Sequence, residues 1–247
     1  MKADPFVQLR LLDLQALDST RDRLLHRRRT LPEHAEIARF DDLLSAVRDD
    51  VVRAETEVSD LARETQKFED EIAVVRARKE RNDSRLSSGA ITVSKQLADL
   101  QHENASLDRR RSDLEDRELE VMERAEAAQA ALDRSEALRE EHTAGRTRAQ
   151  EARDAALTEI AAELERVEAD RAAVVAEIPA DLLALYERIR ASEGGVGAGA
   201  ITRGRCGGCR LDLMGNEKAE FRAAPPDEVL RHDECSRILV RTAESGL

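Results

Sequence analysis

Tryptophan is absent from the 247 residues, tyrosine occurs once and phenylalanine four times. A chain with only 2% aromatics has few large rings around which to build an ordinary globular core. No apolar run of 18 or more residues occurs, so no segment reads as a membrane-spanning helix. Met1-Lys2-Ala3-Asp4-Pro5 lacks the apolar stretch of a secretion signal. Cysteine is confined to three residues between 206 and 235, which offers no disulfide framework and fits a reducing compartment. Basic charge is in deficit: 40 Lys and Arg against 52 Asp and Glu give a net charge of −12, so the molecule as a whole repels nucleic acid and anionic membranes at long range. The expectation is a cytoplasmic chain without membrane association.

What the sequence does have is charge, 37% of all residues, together with abundant Ala, Leu, Glu and Arg. That mixture belongs to helices that bury a narrow seam and leave most positions wet. Asp4-Pro5 supplies a helix cap and a first-turn proline, and Val7, Leu11, Leu14 and Leu17 then share one face. Leu31-Pro32 ends this first helix, because the residue before proline is pushed out of helical geometry.

From Phe40 the seam positions Leu44, Val47, Val51, Ala54, Val58, Leu61, Thr65, Phe68, Ile72 and Val75 follow in steps of four and three. This is a heptad pattern, and it predicts a left-handed coiled coil. Asn82-Asp83-Ser84 and Ser87-Ser88-Gly89 interrupt it with turn-forming residues. A second seam runs Val93, Leu97, Leu100, Asn104, Leu107, Arg111, Leu114, Glu118, Val121, Ala125, Ala128 and Leu132. Two long seams joined by a short polar loop fold back as an antiparallel hairpin. The seam resumes in a shifted phase with Leu157, Ile160, Leu164, Val167, Val174 and Ile178, and here the first helix is expected to pack. Pro179 breaks the long helix, a short helix over 181–192 follows, and the glycines of 194–199 read as a joint rather than a phosphate loop.

The fold class is therefore mainly α, a long antiparallel coiled-coil hairpin with an extra N-terminal helix at its base, plus a small β zinc-ribbon domain. The segments are 1–178 for the helical hairpin with its tip at about 83–92, 179–199 for the short helix and joint, and 200–247 for the ribbon.

Cys206-Gly-Gly-Cys209 and His232-Asp-Glu-Cys235 form the pattern C-x2-C-x22-H-x2-C. Zinc takes four such ligands in a tetrahedron, and two short knuckles far apart in sequence supply them. A redox Cys-x-x-Cys pair, the competing reading, needs no second His/Cys pair downstream. His232 is the expected fourth ligand, with Asp233, Glu234 or an open position holding water as alternatives. A closed Cys3His set leaves no position for catalysis, so one structural Zn2+ is expected.

Several pieces of the chain resemble a bacterial family of coiled-coil hairpin proteins with a C-terminal C4-type zinc ribbon. They are Leu14-Gln15-Ala16-Leu17-Asp18, the Leu31-Pro32 break, Ser94-Lys95-Gln96-Leu97, Leu100-Gln101-His102-Glu103, Leu185-Tyr186-Glu187-Arg188-Ile189-Arg190, Cys206-Gly-Gly-Cys209 and Cys235-Ser236-Arg237-Ile238-Leu239. The resemblance implies a four-cysteine ligand set, in which His232 stands where the family has cysteine. It also implies an adaptor or chaperone-like role, with partners that differ between lineages: an alternative sigma factor, secretion or flagellar components, or messenger RNA.

Two functions follow as expectations. The first is a protein–protein adaptor of unidentified partner, monomeric in preference to homodimeric. The second is nucleic-acid binding by the tip, where Arg76, Arg78, Lys79, Arg81, Arg85 and Lys95 face only Glu80 and Asp83 within residues 76–95. The ribbon carries eight basic and eight acidic residues and only Phe221 for base stacking, which makes it a poor nucleic-acid surface. The Arg27–Arg29 and Arg109–Arg111 runs are expected to form ion pairs between helices. No nucleophile–base pair, phosphate loop or paired-carboxylate motif stands out, so no enzymatic activity is expected.

Overall fold

Asp4 starts the first helix as expected: its carboxylate accepts the Phe6 amide at 2.8 Å and Pro5 occupies the first turn. In the computed structural model, which describes residues 1–89 and 91–246, the elements are α1 (Pro5–Arg29), α2 (Pro32–Ser87), α3 (Ser94–Ala176), α4 (Ala180–Ser192), β1 (Ala198–Thr202), β2 (Arg205–Cys206), α5 (Gly215–Ala223), β3 (Leu230–Arg231) and β4 (Ile238–Val240). None of these helices is long and apolar enough to cross a membrane. The chain divides into two compact units, Ala35–Gln150 on one hand and Met1–His34 with Glu151–Leu247 on the other.

The Ala35–Gln150 unit is an antiparallel pair of helical segments from α2 and α3. Leu61, Val121 and Ala128 are buried together, with Val58, Phe68 and Ala125 packed against them. Ion pairs cross the seam, Arg110 to Glu71 at 3.2 Å and Arg146 to Asp41 at 2.8 Å. Exposed pairs of this kind contribute only about 0–1 kcal/mol each, so the apolar seam does most of the holding. Arg110 thus bridges helices as expected. Arg111 instead pairs within α3, with Asp108 and Glu115, and among the described residues Arg109 and Arg27–Arg29 form no ion pair; the latter three make the last turn of α1, where cations favour the negative end of the helix dipole.

Two seam expectations change. The tip placed at about 83–92 includes residue 90, which lies outside the described residues, but α2 stays helical through Ser87. Asn82 is buried, and Asp83 accepts a hydrogen bond from Asn104 Nδ2 at 2.6 Å, so these turn-forming residues serve as a polar contact across the hairpin. At the other end Val93 and Leu97 are exposed, and the α3 seam closes only from Leu100.

The second unit packs α1 against the end of α3 and α4. Leu24 and Leu31 meet Ile160 and Leu164, while Leu11 and Leu14 join Val174, Ile178, Leu182, Leu185 and Tyr186. The N-terminal helix thus lies where the shifted seam places it. A polar network runs through this core. Asp18, fully buried, accepts from Tyr186 Oη at 2.7 Å and Arg171 Nε at 2.7 Å, with Arg190 Nε at 3.4 Å. Gln15 Oε1 accepts the Gly197 amide at 2.7 Å, and its Nε2 donates to Gly195 O at 3.0 Å. The glycine-rich joint is thereby fixed to α1 before it enters β1. The sheet order is β2-β1-β4-β3, with β1 and β4 parallel and the other pairs antiparallel.

Gly145 lies inside α3, where glycine ordinarily costs a helix about 1 kcal/mol relative to alanine. A Cβ at this position would fall 2.4 Å from Cζ of Phe40, whose ring lies against the glycine backbone. Gly145→Ala is therefore expected to destabilise the Ala35–Gln150 unit by about 1–3 kcal/mol despite its better helix propensity. Chemical denaturation of wild type and variant measures this; a stabilised variant would contradict the packing.

Candidate metal centre

Each knuckle is set by the strand that leads into it. β1 turns through Arg203 (φ 51°) and Gly204 (φ 72°) into β2, which ends on Cys206. β3 leads to His232, whose amide donates to Arg237 O at 3.0 Å and closes the second knuckle onto the start of β4. Cys206 and His232 are buried, whereas Cys209 and Cys235 are half-buried.

The four ligand atoms lie within 4.8 Å of one another. Cys206 Sγ to Cys235 Sγ is 3.9 Å, His232 Nδ1 to Cys235 Sγ is 3.1 Å, and His232 Nδ1 to Cys209 Sγ is 3.3 Å. A tetrahedral zinc with its usual bond lengths separates ligand atoms by about 3.8 Å for two sulfurs, and slightly less for sulfur and nitrogen. The cluster fits such an ion. Asp233 and Glu234, the alternative fourth ligands, are exposed and stand outside it.

The two knuckles also share a backbone signature. The residue after the second ligand has positive φ in each, Arg210 at 67° and Ser236 at 54°. The Arg210 amide donates to Cys206 O at 2.9 Å and the Ser236 amide to His232 O at 2.7 Å, so both turns close identically. Left-handed backbone is costly for residues bearing a Cβ. Its occurrence at both equivalent positions marks a geometry imposed by the turn.

Gly207 and Gly208 lie where the first knuckle passes close to the rest of the fold. Side chains there would meet other parts of the fold: a Cβ at 207 would lie 2.6 Å from Ala200 O, and one at 208 would lie 2.4 Å from Cδ of Arg237. Arg237 crosses the first knuckle and donates to Val196 O at 3.0 Å and Glu193 O at 2.6 Å, which ties both knuckles to the joint.

Burial pushes the Cys206 thiol up to about 11, against the opposing pull of the Cys209 and Gly208 amides. Burial also raises Cys209, but the Leu211 amide, the neighbouring Cys206 and Cys235 side chains and the Arg237 charge outweigh it and leave this thiol below its ordinary value. One group missed by sequence reasoning is Glu217. Its buried carboxylate accepts the Met214 amide at 2.9 Å and the Asp233 amide at 3.0 Å. The available signal was a glutamate in the third helical position of α5, where it caps the helix.

The six tip cations do not gather into one site. Arg76 pairs with Glu115 at 2.7 Å, Arg78 with Glu103 at 2.5 Å and Lys79 with Asp108 at 2.6 Å. Arg81, Arg85 and Lys95 have no ion pair among the described residues. Counting six cations against two carboxylates within 76–95 omits the opposite helix, whose carboxylates pair with half of the cations.

The sequence pattern of the CT398-like coiled coil hairpin domain matches residues 14–194. An uncharacterized protein of Mycobacterium tuberculosis is 41% identical over 241 residues, covering 98% of each chain. A solved structure from Mycobacterium smegmatis has a TM-score of 0.82 at 36% identity, over 98% of this chain and 100% of the other. The structure of CT398 from Chlamydia trachomatis shares the fold, with a TM-score of 0.61 at 19% identity over 96% and 98% of the two chains.

Replacing Arg210 or Ser236 by glycine removes the Cβ cost of a left-handed residue. Each substitution is expected to stabilise its knuckle by about 1 kcal/mol, less the extra entropy glycine gives the unfolded chain. Thermal unfolding measures it, and a destabilised Arg210→Gly would show that the side chain makes a compensating contact.

Proposed function

The chain belongs to the CT398-like coiled coil hairpin family, and on that footing we propose that it is a non-enzymatic cytoplasmic adaptor. In this reading the hairpin binds protein partners and the Cys3His cluster holds one structural zinc ion. Zinc, when bound, cross-links the two knuckles. The segment from 200 onward is too short to build an apolar core unaided, and a metal site supplies folding energy outright.

The observation that supports a protein partner is a pair of grooves on the Ala35–Gln150 unit. In one, Val52 and Leu61 are flanked by Asp49, Glu57, Asp60 and Glu64, against only Arg53 and Arg124. In the other, Val74, Val75 and Leu114 lie beside Asp70, Glu71 and Arg110. Val52 is 54% exposed and Val74 66%. An apolar floor with a mainly acidic rim suits a partner helix whose apolar face is bordered by Lys and Arg. It repels a phosphate backbone. Nucleic-acid binding remains the second reading, supported by Arg81, Arg85 and Lys95 near the hairpin turn.

Two measurements test this function. Protein purified without added metal is expected to contain one zinc per chain, and His232→Ala to lose it or hold it weakly; zinc-free protein whose Cys206 and Cys209 cycle as a disulfide would replace the zinc reading with a redox one. Affinity capture from cell extract with wild type, a Val52→Glu/Val74→Glu variant and an Arg81→Glu/Arg85→Glu/Lys95→Glu variant separates the partner classes. The adaptor reading expects a discrete protein, retained at high salt, whose binding falls about tenfold or more in the valine variant. Bound nucleic acid released by salt, and lost only in the cation variant, would establish the second reading instead.

A further inference from the structure

The four-ligand cluster leaves one polar atom unexplained. His232 turns Nδ1 to the thiolates, while its Nε2 is buried without a hydrogen-bond partner among the described residues. A neutral imidazole that coordinates through one nitrogen carries its proton on the other, and burying that N–H alone is costly. Glu217 Oε2 lies 4.0 Å from Nε2. This carboxylate is 1% exposed and fixed from two sides, by the Met214 amide on Oε2 and the Asp233 amide on Oε1. One of those donors caps α5 and the other follows His232 directly, so the carboxylate spans the helix and the second knuckle.

We propose that Glu217 is the positioning residue of the metal centre: it receives the Nε2–H of His232, fixes the tautomer that presents Nδ1 to the three thiolates, and with His232 replaces a fourth thiolate. The present separation exceeds a hydrogen bond and closes to one when Nδ1 is coordinated. Charge points the same way. A site of three thiolates and one imidazole carries one negative charge fewer than a four-thiolate site. The buried Glu217 carboxylate restores that charge beside the ligand that lacks it. The proposal rests on reading the cluster as a zinc centre, and it assigns to α5 the task of holding a ligand's outer nitrogen.

The test is a cycle of four full-length proteins: wild type, Glu217→Gln, His232→Cys and the double variant. Zinc affinity is measured in each by competition with a chromophoric chelator. Loss of a group that orients a ligand typically weakens metal binding 10- to 100-fold, and that loss is expected for Glu217→Gln when residue 232 is histidine. In the His232→Cys background the same change should leave affinity unchanged or tighten it, because a carboxylate beside a fourth thiolate is repulsive. Equal losses in both backgrounds would reduce Glu217 to a cap of α5 and overturn the proposal, as would no loss with histidine present.

Nitrogen-15 NMR of His232 in the zinc-loaded wild type gives a check that needs no variant. The expected signature is a protonated Nε2 and a metal-bound Nδ1; coordination through Nε2 would overturn the proposal. Wild-type protein that takes up no zinc would remove the metal reading itself, whereas zinc-loaded protein that fails the cycle removes only the role of Glu217.

Discussion

Asp18 is a carboxylate with no exposure, and satisfying it organises the unit that carries the Cys3His cluster. A buried charge is tolerated only when paired and hydrogen-bonded, and removing one member of such a set costs about 3–5 kcal/mol. The partners of Asp18 come from two other helices, Arg171 of α3 and both Tyr186 and Arg190 of α4. Burial and the neighbouring carboxylate hold the Tyr186 hydroxyl well above the ordinary tyrosine range, so it stays a donor. One turn before Asp18, Gln15 uses the same face of α1 to grip the joint at Gly195, Gly197 and Ala198. Gln15 therefore holds the joint that enters β1, while Asp18 holds α3 and α4 beside it, and the strands are laddered from β1 outward, β2 and β4 directly and β3 through β4.

The hairpin unit rests on a weaker constraint. Its seam contains Asn82, Asn104 and Arg111 as well as Leu and Val, and the Nδ2 of Asn82 and Oδ1 of Asn104 are buried without partners among the described residues. Such residues lower stability, and their best-attested use is to fix register. The Asn104–Asp83 contact fits that use, because a one-heptad slip would separate the two side chains. The same helices explain why the tip is less basic than its sequence: an antiparallel fold places Glu103, Asp108 and Glu115 against Arg78, Lys79 and Arg76.

Much of this was legible in the sequence because it depends on period or spacing. Heptad steps from Phe40 to Val75 give the helix pair, Asp4-Pro5 and Leu31-Pro32 bound α1, and the C-x2-C-x22-H-x2-C pattern brings four ligand atoms together. What escaped depends on three-dimensional neighbours. Asn82-Asp83-Ser84 has turn propensity, yet α2 continues through it to Ser87, and Asp83 there meets Asn104 of the other helix. Val93 and Leu97 continue the seam in sequence but lack burial in the fold. Glu217 has no spacing relation to the ligands at all; α5 brings it to His232 from 15 residues upstream.

The ribbon is not separable from the helices, because one strand serves two cores. Successive side chains of a strand point to opposite faces. In β4, Ile238 and Val240 join Leu11, Leu14 and Tyr186 in the helical core, while Leu239 between them joins Cys206, Ile201, Leu213 and Phe221 in the core around the ligands. β1 divides in the same way, Ala198 inward to the helices and Ile201 to the core around the cysteines. A boundary drawn by composition at 199/200 passes through this sheet. The N-terminus reinforces the connection, since the Ala3 amide donates to Asp227 O at 2.7 Å and the Val229 amide to Met1 O at 3.1 Å. The cluster of ligand residues is thus joined to α1 and α4 through the alternating side chains of β1 and β4, so displacing either strand disturbs both cores.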